Sequence, residues 1–295
     1  MPTITSRLTR LTPGSLPTVQ VLQNFLASFF PVKAKDVDFV YHVPRAGRFP
    51  SAVESVSHIV FSITPTEGVY KALDDRNARQ PPVAFLHRPF GLDRRRVRRG
   101  STVLSCHVGF DEVLTVGWNT VLAARLGVDV EQSICVQGYK GDPDRRIGII
   151  GQVRSSAPTL VDLIRKEFGS IEGAFNVDNG EDASDVLCIM NAFHPEEVDR
   201  VMASAYAQKW ITESDDGSRI LYLTGQPREA GLTAALSKGV KVVCVGHRVC
   251  EEWGIRYLAT RTRHEFPLLQ VEEVYEDEPP RPLPAKKPTE LQEKT

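Results

Sequence analysis

Three histidines in this chain each follow a short apolar stretch, and two of them precede a carboxylate by four residues. The two pairs are His107 with Asp111 and His247 with Glu251, and the third histidine is His87. Residues four positions apart lie on the same face of a helix, so each pair can direct both side chains to one point. Imidazole nitrogens and carboxylate oxygens are common ligands of divalent metal ions. The spacing therefore indicates a candidate metal site.

The apolar stretches before these histidines must position them, and they read as β-strands at residues 83–87, 102–107 and 240–245. In open α/β sheets, ligands bind outside the carboxyl ends of the strands. A single histidine–carboxylate pair beside a helix start is more often a structural motif than a site. Two such pairs and a third histidine, all at strand ends, favour a shared site.

Two cysteines, Cys244 and Cys250, flank His247 at three-residue intervals, which is one feature of a thiolate zinc site. Such sites normally supply four ligands in paired knuckles, and the sequence contains no second pair. Roles in a strand and in the core are therefore expected for both cysteines.

Hydrophobic periodicity and turn residues divide the chain into alternating strands and helices. The predicted helices are 18–30, 65–75, 111–126, 159–168, 195–208, 229–238 and 251–260. The predicted strands are 58–63, 83–87, 102–107, 133–139, 147–153, 185–190, 219–223, 240–245 and 268–275. Apolar strands that alternate with helices predict an α/β fold, with helices on both faces of a mostly parallel sheet.

The composition is that of a soluble globular protein, with 41% apolar and 25% charged residues in a chain of 295. The net charge of −1 provides no general attraction to nucleic acid or to anionic membranes, and no sequence-specific nucleic-acid binding is expected. No stretch reaches the roughly 18 to 20 apolar residues of a membrane helix, so no membrane association is expected. The five cysteines, an odd number, do not suit a disulfide framework, which indicates a reducing compartment.

One domain at residues 18–275, with room for two lobes, is expected between flexible ends. Residues 1–17 are predicted to be a flexible N-terminus, and residues 276–295 a disordered tail rich in proline and charge. The first 35 residues carry basic side chains and no acid, a composition that an organelle transit peptide also has. A cytoplasmic protein is the first expectation, and a mitochondrial one is the alternative.

A run of arginines lies in the loop predicted after residue 87. Its members are Arg94, Arg95, Arg96, Arg98 and Arg99. One interpretation is a solvated loop. The other is a phosphate clamp at the mouth of the site, because guanidinium groups match phosphate oxygens. The sequence has no Walker loop, Gly-x-Gly-x-x-Gly or Gly-x-Ser-x-Gly motif, which argues against common nucleotide-binding and serine-hydrolase chemistries.

Four motifs follow one another in the order seen in a known family. They are Phe85-Leu86-His87-Arg88-Pro89, His107 to Asp111 with Gly117-Trp118-Asn119 to Gly127, Tyr222-Leu223-Thr224-Gly225, and Gly246-His247 to Glu251. Together they resemble the NGG-one-interacting-factor-three-like family, whose members are also called dinuclear metal centre proteins or type 2 homologues of GTP cyclohydrolase I. The resemblance covers about residues 18–275.

The resemblance implies a three-layer α/β/α fold with mostly parallel mixed sheets, in which the N- and C-terminal halves meet at a metal site. It also implies one or two divalent ions and a homo-oligomer, often a ring-shaped hexamer. Carried over by motif, the metal ligands are His87, Asp111, His247 and Glu251, with His107 among or just behind them. Zinc, iron, manganese and nickel all suit such mixed donors.

Two positions depart from the family pattern. Arg88 stands where the family has a second histidine, and a guanidinium group cannot become a metal ligand. Gln226, followed by Pro227, stands where the family has an acidic residue after Thr-Gly. Either Arg88 holds an anionic substrate in place of a second cation, or the centre is degenerate.

Two hypotheses about function follow. In the first, the protein is a metal-dependent hydrolase, like a cyclohydrolase or a phosphoesterase, and acts on a nucleotide or another phosphorylated small molecule. His107 would transfer protons, and Arg88 would bind phosphate together with Arg94, Arg95 and Arg96. In the second, it is a non-catalytic interaction or scaffold protein in a transcription-related role, and the metal site is degenerate and structural.

Overall fold

The computed structural model describes residues 15–43, 54–75, 80–177 and 183–278. Most of the predicted flexible N-terminus (1–17) and of the predicted disordered tail (276–295) lies outside the described residues. Of the parts that are described, Pro17 accepts a backbone hydrogen bond from Val56, and Glu276 accepts one from the backbone of Gly68.

Helices and strands alternate along the chain, as predicted. The helices are α1 Val19–Ala27, α2 Glu67–Leu73, α3 Val108–Val113, α4 Thr120–Arg125, α5 Ala157–Phe168, α6 Pro195–Ala207, α7 Glu229–Ser237 and α8 His247–Glu265. The strands are β1 Val40–His42, β2 His58–Ser62, β3 Val83–Leu86, β4 Thr102–Ser105, β5 Ile134–Tyr139, β6 Asp142–Ser156, β7 Gly173–Phe175, β8 Ala183–Met190, β9 Ile220–Thr224, β10 Lys241–Cys244 and β11 Gln270–Val274. The α/β class is confirmed, and every predicted strand forms.

The described strands form two mixed sheets. The first has the order β1-β4-β3-β2-β11, and its pairs are parallel except that β1 runs antiparallel to β4. The second has the order β5-β6-β8-β9-β10-β7, in which β8, β9 and β10 are parallel and the other pairs are antiparallel. A tight turn joins β5 to β6, whereas helices join the parallel strands β8, β9 and β10, as parallel pairing requires.

Alternate residues of each strand enter different cores. In β2, Ile59 and Phe61 belong to a core shared by the two sheets, whereas Val60 belongs to a cluster with α2 on the outer face. In β9, Leu223 belongs to the shared core and Tyr222 to a cluster with α6 and α7. Helices therefore cover both faces of each sheet, which explains why the strands are apolar throughout.

The predicted helix 111–126 forms as two short helices, α3 and α4. Gly117 lies between them, and a Cβ there would lie 2.8 Å from the carbonyl oxygen of Asp111 and 2.7 Å from that of Glu112. Asn119 then caps α4, because its side chain accepts a hydrogen bond from the backbone N–H of Leu122 at 2.9 Å. The glycine and asparagine of this motif thus break one helix and start the next.

Two further features concern the whole chain. All five cysteines lie in the described residues and are free, as predicted. In the part of the chain that the structure describes, no helix combines the length and the apolar composition that crossing a membrane requires.

Candidate metal centre

The carboxyl ends of three strands deliver the three predicted histidines. His87 directly follows β3, His107 caps α3 after β4, and His247 is the first residue of α8 after β10. Gly246 permits the turn into α8, because its φ is +96° and a Cβ there would lie 2.6 Å from Oε1 of Glu172. Since β3 and β4 belong to the first sheet and β10 to the second, the two halves of the chain meet here.

The five predicted side chains lie close together. Nε2 of His87 lies 3.3 Å from Oδ1 of Asp111 and 3.3 Å from Oε1 of Glu251. The same oxygen of Glu251 lies 3.3 Å from Nε2 of His247, which is one helical turn away on α8. Ligand atoms of His87, His107 and Asp111 also lie within 4.8 Å of one another. The two histidine–carboxylate pairs therefore form one cluster.

The spacing of these atoms suits a shared cation. A tetrahedral ion with bonds of about 2.0–2.1 Å has its ligand atoms about 3.3–3.4 Å apart. Nε2 of His87 has this separation from both carboxylate oxygens, and it is buried between them. A buried imidazole nitrogen that faces two carboxylates can exchange its proton for a metal ion. His87, His107 and Asp111 therefore offer ligand atoms that could hold a divalent metal ion, with Glu251 next to His87.

His87 is held in the orientation that coordination requires. Its side chain is completely buried, and Nδ1 lies 3.2 Å from the carbonyl oxygen of Cys106. The ring of Phe110 stacks on the imidazole with 4.2 Å between the ring centroids. We assign the proton to Nδ1, which donates to the carbonyl and leaves Nε2 for a metal ion, a tautomer that metal-binding histidines commonly adopt.

In the cluster, the charges of the carboxylates and imidazoles oppose the effect of burial on one another's pKa values. Burial alone would lower the pKa of His87, but the carboxylates of Asp111 and Glu251 raise it to about 9. Burial alone would raise the pKa of Glu251, but His247 and His87 lower it to about 2. Glu251 in turn raises the pKa of His247. Protons on these imidazoles thus offset the carboxylates, and a bound cation would take over this role.

His107 differs from the other two histidines. Burial lowers its pKa, and the charge of Asp111 only partly opposes this effect. Its Nδ1 is buried and has no hydrogen-bond partner among the described residues. The rings of His87 and Phe90 each lie 5.1 Å from its ring, measured between centroids. A neutral imidazole of this kind can accept a proton.

Asp36 positions the helix that carries Asp111, although no sequence motif marks this residue. One of its oxygens accepts a hydrogen bond from the backbone N–H of His107 at 2.9 Å, and the other from that of Gly109 at 2.7 Å. Burial raises the pKa of Asp36, but the backbone N–H donors outweigh this effect and lower it. Asp36 caps α3 from 71 positions away in sequence, so no local motif could reveal it.

Arg88 lies at the edge of the centre between two acids. Its Nη2 is 3.3 Å from Oε2 of Glu251 and 2.8 Å from Oε1 of Glu278. The guanidinium therefore places a fixed positive charge beside Glu251, where the family pattern has a second histidine. Glu278 belongs to the predicted tail, and its carboxylate demonstrates that an anion fits against this guanidinium group.

A cavity of about 210 Å³ adjoins the metal centre, and Asp111 and His247 both line it. Gln226, the second departure from the family pattern, lines it as well. The acid Glu112 also lines it, together with four basic side chains that belong to no recognised motif: Lys140, Arg145, Arg146 and Arg228. Lys140 lies in the turn between β5 and β6, Arg145 and Arg146 lie in β6, and Arg228 is the residue before α7.

The arginine run after His87 lies away from this cavity. Arg94–Arg96 form a short 3-10 helix. Arg96 donates to both carboxylate oxygens of Glu67, at 2.5 and 2.7 Å. Arg95 and Arg96 line a second cavity with Glu67, and none of the metal-centre residues lines it. A role for this run in phosphate binding stays a prediction.

Comparison with known proteins identifies a family. The sequence model of the family described as Duf34/NIF3 (NGG1p interacting factor 3) matches residues 94–280, more than half of the chain. No curated protein sequence matches the chain.

Solved structures share the fold at low sequence identity. Reduced HcgD from Methanocaldococcus jannaschii is 15% identical with a TM-score of 0.57, and the match covers 87% of this chain and 97% of that chain. The protein ybgI, described as of unknown function, is 16% identical with a TM-score of 0.54, over 89% of this chain and 100% of that chain. A Bacillus cereus protein related to NIF3 is 11% identical with a TM-score of 0.50, over 89% and 98% of the two chains.

Proposed function

Since this chain belongs to the Duf34/NIF3 family, we propose that it binds one divalent metal ion and hydrolyses a phosphorylated small molecule. One observation carries the proposal. Nε2 of His87, from the N-terminal half, is buried and lies 3.3 Å from carboxylates of both halves, Asp111 and Glu251. A metal ion can replace the proton that this nitrogen shares with the two carboxylates.

Four side chains would hold the ion: His87, Asp111, Glu251 and His247. When bound, a divalent ion supplies a Lewis acid and lowers the pKa of a water molecule at the centre towards neutrality. We propose one ion rather than two because Arg88 replaces the second histidine and already lies beside Oε2 of Glu251. The guanidinium would provide one positive charge, where a second divalent ion would provide two, and none of its coordination chemistry.

His107 would transfer the proton during hydrolysis. Hydrolysis adds the hydroxyl of water to the electrophilic centre of the substrate and a proton to the leaving group. His107, whose pKa is lowered by burial and whose Nδ1 lacks a partner among the described residues, would accept the proton from water and return it to the leaving group. Asp111, which opposes the fall in its pKa, would stabilise the imidazolium that forms.

The test combines metal analysis with an activity screen. Protein purified without chelator is analysed for metal, then assayed for hydrolysis of nucleotides and other phosphorylated metabolites. We expect about one equivalent of metal, and hydrolysis that a chelator abolishes and added metal restores, because such centres bind tightly. Asp111→Ala should lack this activity. Less than about a tenth of an equivalent of metal, or hydrolysis that survives Asp111→Ala, would contradict the proposal.

A non-catalytic scaffold with a structural metal site is the second candidate. The ion pair of Arg88 with Glu278, at the position of a second ion, favours it. Thermal unfolding and turnover of the wild type, Asp111→Ala and Glu251→Ala separate the two candidates. A scaffold predicts stability that depends on metal and no turnover, whereas an enzyme predicts turnover that is lost while the fold persists.

A further inference from the structure

The cavity beside the metal centre has an excess of positive charge. Of its basic side chains, Arg146 lies 3.5 Å from the buried carboxylate of Glu112, which also pairs with Lys33 at 2.7 Å. Glu112 therefore offsets one of the two positive charges of Arg146 and Lys33. For the three other basic side chains, the described residues provide no ion-pair partner; these are Lys140, Arg145 and Arg228.

Two of these unpaired groups share one aromatic neighbour. The guanidinium of Arg145 lies 5.7 Å from the ring centroid of Tyr139, and Nζ of Lys140 lies 5.1 Å from it. Both cations are therefore supported by the electron-rich ring rather than by a carboxylate. Their charge stays available to a ligand, and Tyr139 lines the same cavity.

We propose that Arg145 and Arg228, with Lys140, form the anion subsite that holds the phosphate group of the substrate. This inference rests on the proposed function, because the same cavity is lined by Asp111 and His247 of the metal centre. A ligand whose phosphate lies against the arginines would place its remaining atoms towards those two side chains.

The chemistry of the lining favours phosphate over other anions. Two guanidinium forks and an ammonium group can contact three phosphate oxygens at once, whereas a carboxylate has only two oxygens. The volume of about 210 Å³ is below the range of about 300–1,000 Å³ typical of drug-sized ligands, so a small phosphorylated metabolite fits better than a polymer. Gln226 and Asn191 add neutral amide donors to the same lining.

The contrast with Arg96, in the arginine run after His87, supports this assignment. Arg96 already donates both of its terminal nitrogens to Glu67, so its fork is occupied within the fold. Arg145 and Arg228 have no such partner in the described ranges of the chain. A phosphate ion would therefore displace an existing ion pair at Arg96 but none at the proposed subsite.

The test measures binding of inorganic phosphate to the metal-free full-length protein, by calorimetry or phosphorus NMR. Metal is removed so that phosphate cannot bind to the ion itself. We expect the double variant Arg145→Gln/Arg228→Gln to bind phosphate at least tenfold more weakly than the wild type. The matched double variant Arg154→Gln/Arg261→Gln, which removes the same charge at two exposed arginines outside the cavity, should bind like the wild type.

Two results would overturn the inference. One is a phosphate affinity of Arg145→Gln/Arg228→Gln equal to that of the wild type. The other is a dissociation constant of the wild type for phosphate above about 10 mM, which corresponds to a binding free energy too small for a built site. Thermal unfolding verifies that the variants fold, and Arg228→Lys, which keeps the charge, should retain part of the affinity for phosphate.

Metal affinity is measured in the same proteins. If phosphate binding fails while metal binding persists, this inference fails and the proposed metal centre stands; if no metal binds, the proposed function fails.

Discussion

Replacement of Asp36 by alanine should weaken both the fold and the metal centre, although Asp36 is not itself among the proposed ligands. Its two carboxylate oxygens accept hydrogen bonds from the backbone N–H groups of His107 and Gly109, at the start of α3. The same helix carries Asp111 one turn later. Without the carboxylate, these donors lose their partners and the first turn of α3 is free to shift.

The expected loss of stability follows from these two bonds. Loss of a helix cap costs about 0.5–2 kcal/mol, and a hydrogen bond to a charged group contributes about 1.5–3 kcal/mol. Because the cap and the hydrogen bonds are the same interaction, their costs are not added, and we expect Asp36→Ala to lose about 1.5–3 kcal/mol of unfolding free energy. Groups that orient metal ligands typically change metal affinity about 10- to 100-fold, and we expect a loss in that range.

The assays are urea unfolding and competition for metal with a chromophoric chelator. Asp38→Ala is the matched control, because Asp38 is exposed and lies two residues away. We expect the control to match the wild type in both assays. Wild-type metal affinity in folded Asp36→Ala would refute the argument that Asp36 positions His107 and Asp111.

The effect of Asp36 should also depend on pH. Its pKa in the folded protein is below the ordinary value of 3.8, so its contribution to stability is full above that value. It is lost as the pH falls through the lower, folded pKa. The difference in unfolding free energy between the wild type and Asp36→Ala should therefore be constant from about pH 6 to 8 and decline below about pH 4. A difference that stays unchanged in acid would contradict the proposed charge on Asp36.

Two further predictions concern the metal centre. Glu251→Gln should bind metal at least about 100-fold more weakly, a loss of about 2.7 kcal/mol in binding free energy, because the charge of a ligand between His87 and His247 is lost. The control Glu252→Gln should bind metal like the wild type. Equal metal affinities of the two variants in chelator competition would contradict this prediction. Arg88→His should raise the metal content from about one to about two equivalents per chain, because it restores the second histidine ligand of the family pattern. An unchanged metal content would show that Arg88 does not determine the number of ions.

Features that depend on local periodicity are predicted well from this sequence. Strands such as β2 and β9 are buried on both faces, so they appear as continuous apolar stretches bounded by turn residues. The pair His247 and Glu251 is visible because four-residue spacing places both on one face of α8. The strands β1 and β7 are not predicted, because three residues are too few to establish a period.

Features that depend on tertiary contacts are not predicted. The break at Gly117 arises from backbone oxygens that only the folded turn brings close. Asp36 resembles any surface acid until α3 packs against it. Arg145 and Arg228 are separated by more than 80 positions, and only the second sheet brings them into one cavity. The run of arginines after His87 is, by contrast, obvious in the sequence. The sequence does not reveal that Arg96 of this run is paired with Glu67.

Diffraction data from crystals of the zinc-loaded protein, collected at the zinc absorption edge, would test the shared cation most directly. The account predicts one anomalous peak per chain, bonded to His87, Asp111, Glu251 and His247, with Arg88 beside it. No peak at this position, or a peak held by other side chains and not by Nε2 of His87, would contradict it.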